Sequence, residues 1–155
     1  MHMLAICAEP DGQADLNRAA IERARASNQP GGRKWLGSLL NNLGWSLFEE
    51  KKITEDLVTF EEALAFRIEL GKRIREAKWA VARALRELGK INEALEIQLE
   101  IVSGEPDGYV HEELALLYRE KACEHAKTAV ALFSADEWFC QNSYERVAHM
   151  KELGE

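Results

Sequence analysis

A helical pattern occurs twice in this chain at a constant offset of 38 residues. Leu40, Leu43, Gly44, Leu47, Ile53, Phe60, Ala63 and Leu64 correspond to Lys78, Val81, Ala82, Leu85, Ile91, Gln98, Ile101 and Val102. Self-similarity at such a period predicts helical hairpins that stack, because one hairpin cannot bury its apolar face alone and neighbours must cover it. Stacks of this kind present extended surfaces, so the pattern points to recognition rather than catalysis.

Helical periodicity and chain breakers predict helices at about 13–27, 33–50, 54–70, 72–88, 91–103, 108–120, 122–133 and 135–152, with almost nothing that reads as strand. The breaks fall at turn clusters: Glu9-Pro10-Asp11-Gly12, Asn28-Gln29-Pro30-Gly31-Gly32, Gly71, Gly89, and Gly104-Glu105-Pro106-Asp107-Gly108. Loops this short make consecutive helices antiparallel neighbours. Ser134, followed three residues later by Glu137, has the spacing of a capping box and is expected to open a last helix that caps the stack. The class is therefore all-α, with 1–155 as a single helical-repeat domain. Its parts are a partial N-terminal repeat (1–32), repeats at 33–70 and 71–108, a degenerate repeat at 109–133 and a capping helix at 134–155.

In the first full unit, Leu40, Leu43 and Leu47 form an apolar stripe that includes Gly44. Helix axes pack roughly 8–10 Å apart, and a glycine marks where a neighbour comes closest. Ala63 meets the same demand on the second helix; Ala82, Ala94 and the turn glycine Gly89 do so in the next unit, which Pro106 is expected to end. A third unit is weaker. Leu114, Ala115 and Tyr118 fall 33 residues after Val81, Ala82 and Leu85, and the register then slips by about one residue to place Ala126.

These residues resemble the tetratricopeptide repeat family, in which a large apolar residue, Leu-Gly and an aromatic lie on the first helix. Small alanines, an aromatic and a helix-ending proline lie on the second. The resemblance covers residues 33 to 133 and implies a right-handed solenoid whose first helices line a concave groove. There are departures: Lys78 replaces the large apolar residue, Gln98 the aromatic, and Asp56 an alanine. About four extra residues, around Gly71 to Ile74, also precede the second unit. Upstream, Gln13 to Ser27 reads as the second helix of another repeat and Met1 to Ala8 as the stump of its first. A half-hairpin exposes an apolar face, which a homodimer contact would cover.

Composition excludes several classes. The 46% hydrophobic content is enough to give each helix a buried face. Twenty basic against 27 acidic residues, net charge -7 and no Lys/Arg block argue against a nucleic-acid binder. Apolar runs such as Met3 to Ala8 and Ala129 to Phe133 are far short of the roughly 20 residues of a membrane span, and the N-terminus does not read as a signal peptide. Cys7, Cys123 and Cys140 are odd in number and form no Cys-x-x-Cys, which fits reduced thiols in the cytoplasm and no structural zinc.

Catalytic motifs are wanting. His111-Glu112-Glu113 lacks the second histidine of a zinc helix. Cys123 and His125, two residues apart, point in different directions on a helix. Glu49-Glu50, Glu61-Glu62 and Glu112-Glu113 read as solvated faces, and Pro30-Gly31-Gly32-Arg33-Lys34 lacks the spacing of a phosphate loop. No acid, base and nucleophile form a set, so the chain reads as a non-enzyme without cofactor or metal.

The resemblance places Asn41, Trp45 and Phe48 on the groove wall. The 38-residue offset maps them to Trp79, Arg83 and Arg86, and the 33-residue offset maps these to Glu112, Leu116 and Arg119. Each trio has i, i+4, i+7 spacing, which puts its members on one helix face. Tryptophans offer apolar platforms, Asn41 and Asn42 can hydrogen-bond a peptide backbone, and Arg83 with Arg86 can grip a carboxylate. The bland alternative is that the tryptophans fill gaps and the arginines answer Glu76 or Glu87. Trp35 and Trp138-Phe139 are expected to pack structurally. The two-carboxylate clamp of some family members is not reproduced: its lysine and asparagine positions fall on Asn41, Trp45 and Ala80, and its last lysine and arginine on Tyr109 and Glu113.

The leading expectation is a non-enzymatic scaffold that binds a protein or peptide segment, with acidic or C-terminal carboxylate groups near Arg83 and Arg86. The alternatives are a small-ligand-sensing module of a bacterial regulator and an oligomerisation element acting as a homodimer through the chain ends.

Overall fold

The computed structural model describes residues 10–27, 31, 33–104, 107–135 and 143–155. Its described residues are helices joined by turns. In order these are α1 (Pro10–Ala26), a 3-10 turn (Arg33–Trp35), α2 (Leu36–Glu49), α3 (Ile53–Leu70), α4 (Ile74–Glu87), α5 (Ile91–Val102), α6 (Gly108–Ser134) and α7 (Tyr144–Leu153). They form two compact units, Met1–Glu105 and Pro106–Glu155.

In the first unit each helix packs on the next, from α1 to α5. Three-residue turns separate α2 from α3, α3 from α4 and α4 from α5, too short for anything but antiparallel neighbours. The closing hydrogen bonds of the α2–α3 and α4–α5 turns repeat. The Lys51 N–H donates to the Phe48 carbonyl (3.0 Å) and that of Lys52 to Leu47 (2.9 Å), while 38 residues on Gly89 donates to Arg86 and Lys90 to Leu85, both at 2.9 Å. Gly89 has φ 73°, which glycine adopts freely; Lys51 holds φ 61° at the equivalent position, at a cost of roughly 1–2 kcal/mol for a residue with a Cβ.

The core is built from the stripes anticipated above. Leu36, Leu39, Leu40, Leu43 and Leu47 of α2 recur every three or four residues and are buried against Ala14, Ala20, Ile21 and Ala24 of α1 and Ala63 and Phe66 of α3. In the next hairpin Ala82 and Ala94, at the positions of Gly44 and Asp56, are both 0% exposed. On the surface, Arg18 pairs with Glu55 (3.1 Å) and, one heptad on, Arg25 pairs with Glu62, joining α1 to α3. Lys78, which takes the place of the expected apolar residue, pairs with Glu100 of α5.

In the second unit α7 packs along the later part of α6. The Cys123 thiol donates to the Leu153 carbonyl (3.2 Å) and the Arg146 guanidinium lies over Phe133 (5.9 Å). Two expectations are corrected here. The break between 108–120 and 122–133 is absent: α6 runs unbroken from its N-cap Asp107, whose carboxylate accepts from the Tyr109 N–H (3.0 Å), because no glycine or proline interrupts it. Ser134 is the last helical residue of α6 rather than an N-cap, and Glu137 lies outside the described residues.

The third-unit register is also corrected. Ala115 and Tyr118 are exposed, whereas Val110, Glu113, Leu114, Leu117 and Ala126 are buried. An offset of 32 residues from Lys78, Val81, Ala82, Leu85 and Ala94 accounts for all five. Met1 to Ala8, Pro106, Trp138-Phe139, Cys7 and Cys140 lie outside the described residues.

Candidate functional site

The first helices of the two hairpins bring together residues 34 positions apart in sequence. Trp45 of α2 and Trp79 of α4 stand 5.9 Å apart between ring centroids, and Phe48 packs edge-on against Trp45 at 5.6 Å. Beneath them Phe60 of α3 meets Trp45 at 5.1 Å. Phe60 is 1% exposed and fixes the tryptophan from the core side. Its ring occupies the space left by Gly44, where a Cβ would come within 2.6 Å of the Phe60 Cδ1.

Arg83 closes the cluster. Its guanidinium lies 5.5 Å from the Trp45 ring, 5.1 Å from Phe48 and 5.5 Å from Trp79, so one cation is shared by three π faces. All four residues are half-buried. The flat rings therefore reach solvent together with a charged group that they orient. Arg86, expected to act beside Arg83, pairs with the adjacent Glu87 (3.0 Å).

Asn41 and Asn42 line a polar pocket of about 250 Å³ between α2, α3 and the start of α4, with Ser38, Arg67, Arg73 and Glu76. Arg67 reaches the α2 backbone because Gly37 has no side chain; a Cβ there would stand 2.9 Å from its Nε. Arg73 precedes α4 in the left-handed conformation, φ 54°. Neither arginine was singled out by sequence, though the extra residues around Gly71 to Ile74 mark the turn that supplies Arg73. The remaining predicted residues belong to the second unit: Glu112 and Arg119 are exposed, Leu116 is half-buried, and Arg119 pairs with Glu120 (3.3 Å). In the 32-residue register, the positions matching Trp79, Arg83 and Arg86 are His111, Ala115 and Tyr118.

Trp35 departs from expectation: it is 49% exposed at the entry to α2, with the Lys34 ammonium 5.4 Å from its ring. Sequence reasoning also missed a buried charge. Asp56 is 0% exposed, and neither carboxylate oxygen has a hydrogen-bond partner among the described residues. Burial, and after it the nearby Glu87 carboxylate, push its carboxyl up to about 6. Asp56 opposite Ala94 in the 38-residue offset was the visible signal.

Among the described residues no group of three His, Cys, Asp or Glu side chains could hold a metal ion. No helix among them is long and apolar enough to cross a membrane. Comparison with family models, curated proteins and solved structures finds no match.

Proposed function

We propose that this chain is a non-enzymatic scaffold of tetratricopeptide-like hairpins, wound as a right-handed solenoid, that binds a protein or peptide segment on its concave face. The observation that carries the reading is the half-buried cluster of Trp45, Phe48, Trp79 and Arg83, drawn from register-equivalent faces of α2 and α4. Tryptophan and arginine are the side chains richest in binding energy at interfaces, and a guanidinium already oriented by rings loses little freedom when it meets a carboxylate. The partner segment accordingly presents an apolar or aromatic side chain to the tryptophans and an acidic group to Arg83. Arg86 contributes less than the sequence suggested, because it is engaged with Glu87. A cytoplasmic location belongs to the same reading, from the odd number of cysteines and their spacing.

The test is a pull-down from source-cell lysate with the native chain and with a Trp79→Ala/Arg83→Glu variant whose helicity is verified by circular dichroism. A protein retained by the native chain and lost with the variant supports a groove site. Equal capture by both, or none by either, rejects it. The pocket at Asn41 and Asn42 favours the second reading, a small-ligand module.

A further inference from the structure

The polar pocket between α2, α3 and α4 carries charges of both signs, from Arg67, Arg73 and Glu76. Arg67 is half-buried there, and Arg73 and Glu76 are exposed. Here none of the three forms an ion pair with any described residue. Gly37 seats the Arg67 guanidinium against α2, and the turn before α4 holds Arg73 in a backbone conformation that a side-chain-bearing residue adopts at a cost. Cations and anion thus both border the pocket.

We infer that this pocket binds a free α-amino acid, with the two guanidiniums taking the carboxylate and Glu76 taking the ammonium. A guanidinium fork matches a carboxylate in geometry as well as charge. The Glu76 carboxylate accepts hydrogen bonds from an ammonium, and the amides of Asn41 and Asn42 and the Ser38 hydroxyl can donate or accept at whatever the side chain offers. The volume of about 250 Å³ lies below the roughly 300–1,000 Å³ of sites for drug-sized ligands, which suits a molecule of few heavy atoms. Two positive groups against one negative leave a net single positive charge, so acidic amino acids are the preferred members of the class. Glu76 opposes a phosphate dianion. A peptide C-terminus lacks the ammonium and an N-terminus lacks the carboxylate, so either would leave part of the charge set unanswered.

The pocket shares no lining residue with the tryptophan cluster and needs no peptide in the groove. Isothermal titration of the full chain with each of the twenty common amino acids tests it, with N-acetyl-glutamate, glutamate α-amide and inorganic phosphate as comparison probes. The expected result is saturable binding, strongest for glutamate or aspartate, weakened at least about tenfold when either the ammonium or the α-carboxylate is blocked. Arg67→Gln and Glu76→Gln, each verified to keep the helical spectrum and melting midpoint of the native chain, should each lose at least about tenfold. Absence of any amino-acid binding tighter than about 10 mM overturns the inference. So does phosphate or the N-acetyl compound binding as tightly as glutamate, or full affinity in folded Arg67→Gln.

Discussion

Asp56 places a charge where the next hairpin has an alanine. The equivalent residue 38 positions on, Ala94, is also 0% exposed, so the position is an interior one in both hairpins. A carboxyl whose folded value is raised to about 6 from 3.8 binds its proton more tightly in the folded chain. Its contribution to stability is therefore greatest below about pH 4 and is lost as the pH rises through 6, a span of about 3 kcal/mol at most. Asp56→Asn, which removes the charge at nearly constant shape, should stabilise the protein by about 1–3 kcal/mol at pH 7.5 and by much less at pH 4.5. Urea unfolding at the two pH values measures both. A gain independent of pH, or no gain at neutrality, would show that the carboxylate is accommodated in the fold. Gln98 is a second exchange of this type: it stands where the first hairpin has Phe60, fully buried, with neither end of its amide hydrogen-bonded among the described residues.

At the level of elements, the contact of α2 with α3 rests on Gly44 and Phe60. Alanine is a better helix former than glycine by about 1 kcal/mol, so propensity alone favours Gly44→Ala. Packing opposes it, because the new methyl would overlap a ring that is itself wedged under Trp45. Overpacking should win, with a net loss of about 1–3 kcal/mol by urea unfolding and a changed Trp45 fluorescence environment. Adding Phe60→Leu should restore part of the loss; failure to do so would refute the steric account. The sequence already contains a milder version of this exchange, since Ala82 and Gln98 hold the same two positions in the next hairpin. The close approach at Gly44 was legible in the sequence, as were α1 to α5 and the turns at Gly71 and Gly89, because core stripes and left-handed glycines leave local marks; that Phe60 fills the space was not. The unbroken α6 was not. Its apolar stripe shifts by one residue relative to the repeat, and a pattern matched on Ala115 and Tyr118 imposed a turn that no breaker supports. The aromatic cluster could be read from i, i+4, i+7 spacing. The pocket could not, since Arg67 and Arg73 come from a helix end and a turn outside the repeating pattern.

The division of the whole chain into Met1–Glu105 and Pro106–Glu155 makes a thermodynamic claim that can be tested. Among its described residues the first unit has five helices, each packed on the next, and a core shared by α1, α2 and α3. Among its described residues the second has one long helix and one of ten residues. Two helices of that size rarely bury enough apolar surface to offset the entropy of ordering them, since chains below roughly 70–80 residues have little stability to spare. A fragment of residues 1–104 should therefore remain helical and melt cooperatively, within about 5–10 °C of the full chain, the shift expected for a change of one or two kcal/mol in a domain of this size. Residues 106–155 alone should show mostly unfolded spectra at the same temperature. Circular dichroism melts of the three species decide the matter. If the first fragment loses its cooperative transition, the hairpins depend on the C-terminal helices for stability and act as terminal repeats of an array do, where each unit is stable only with its neighbour. If it keeps that transition, both the tryptophan cluster and the amino-acid pocket, which lie wholly within residues 37–83, belong to a module that folds without the rest.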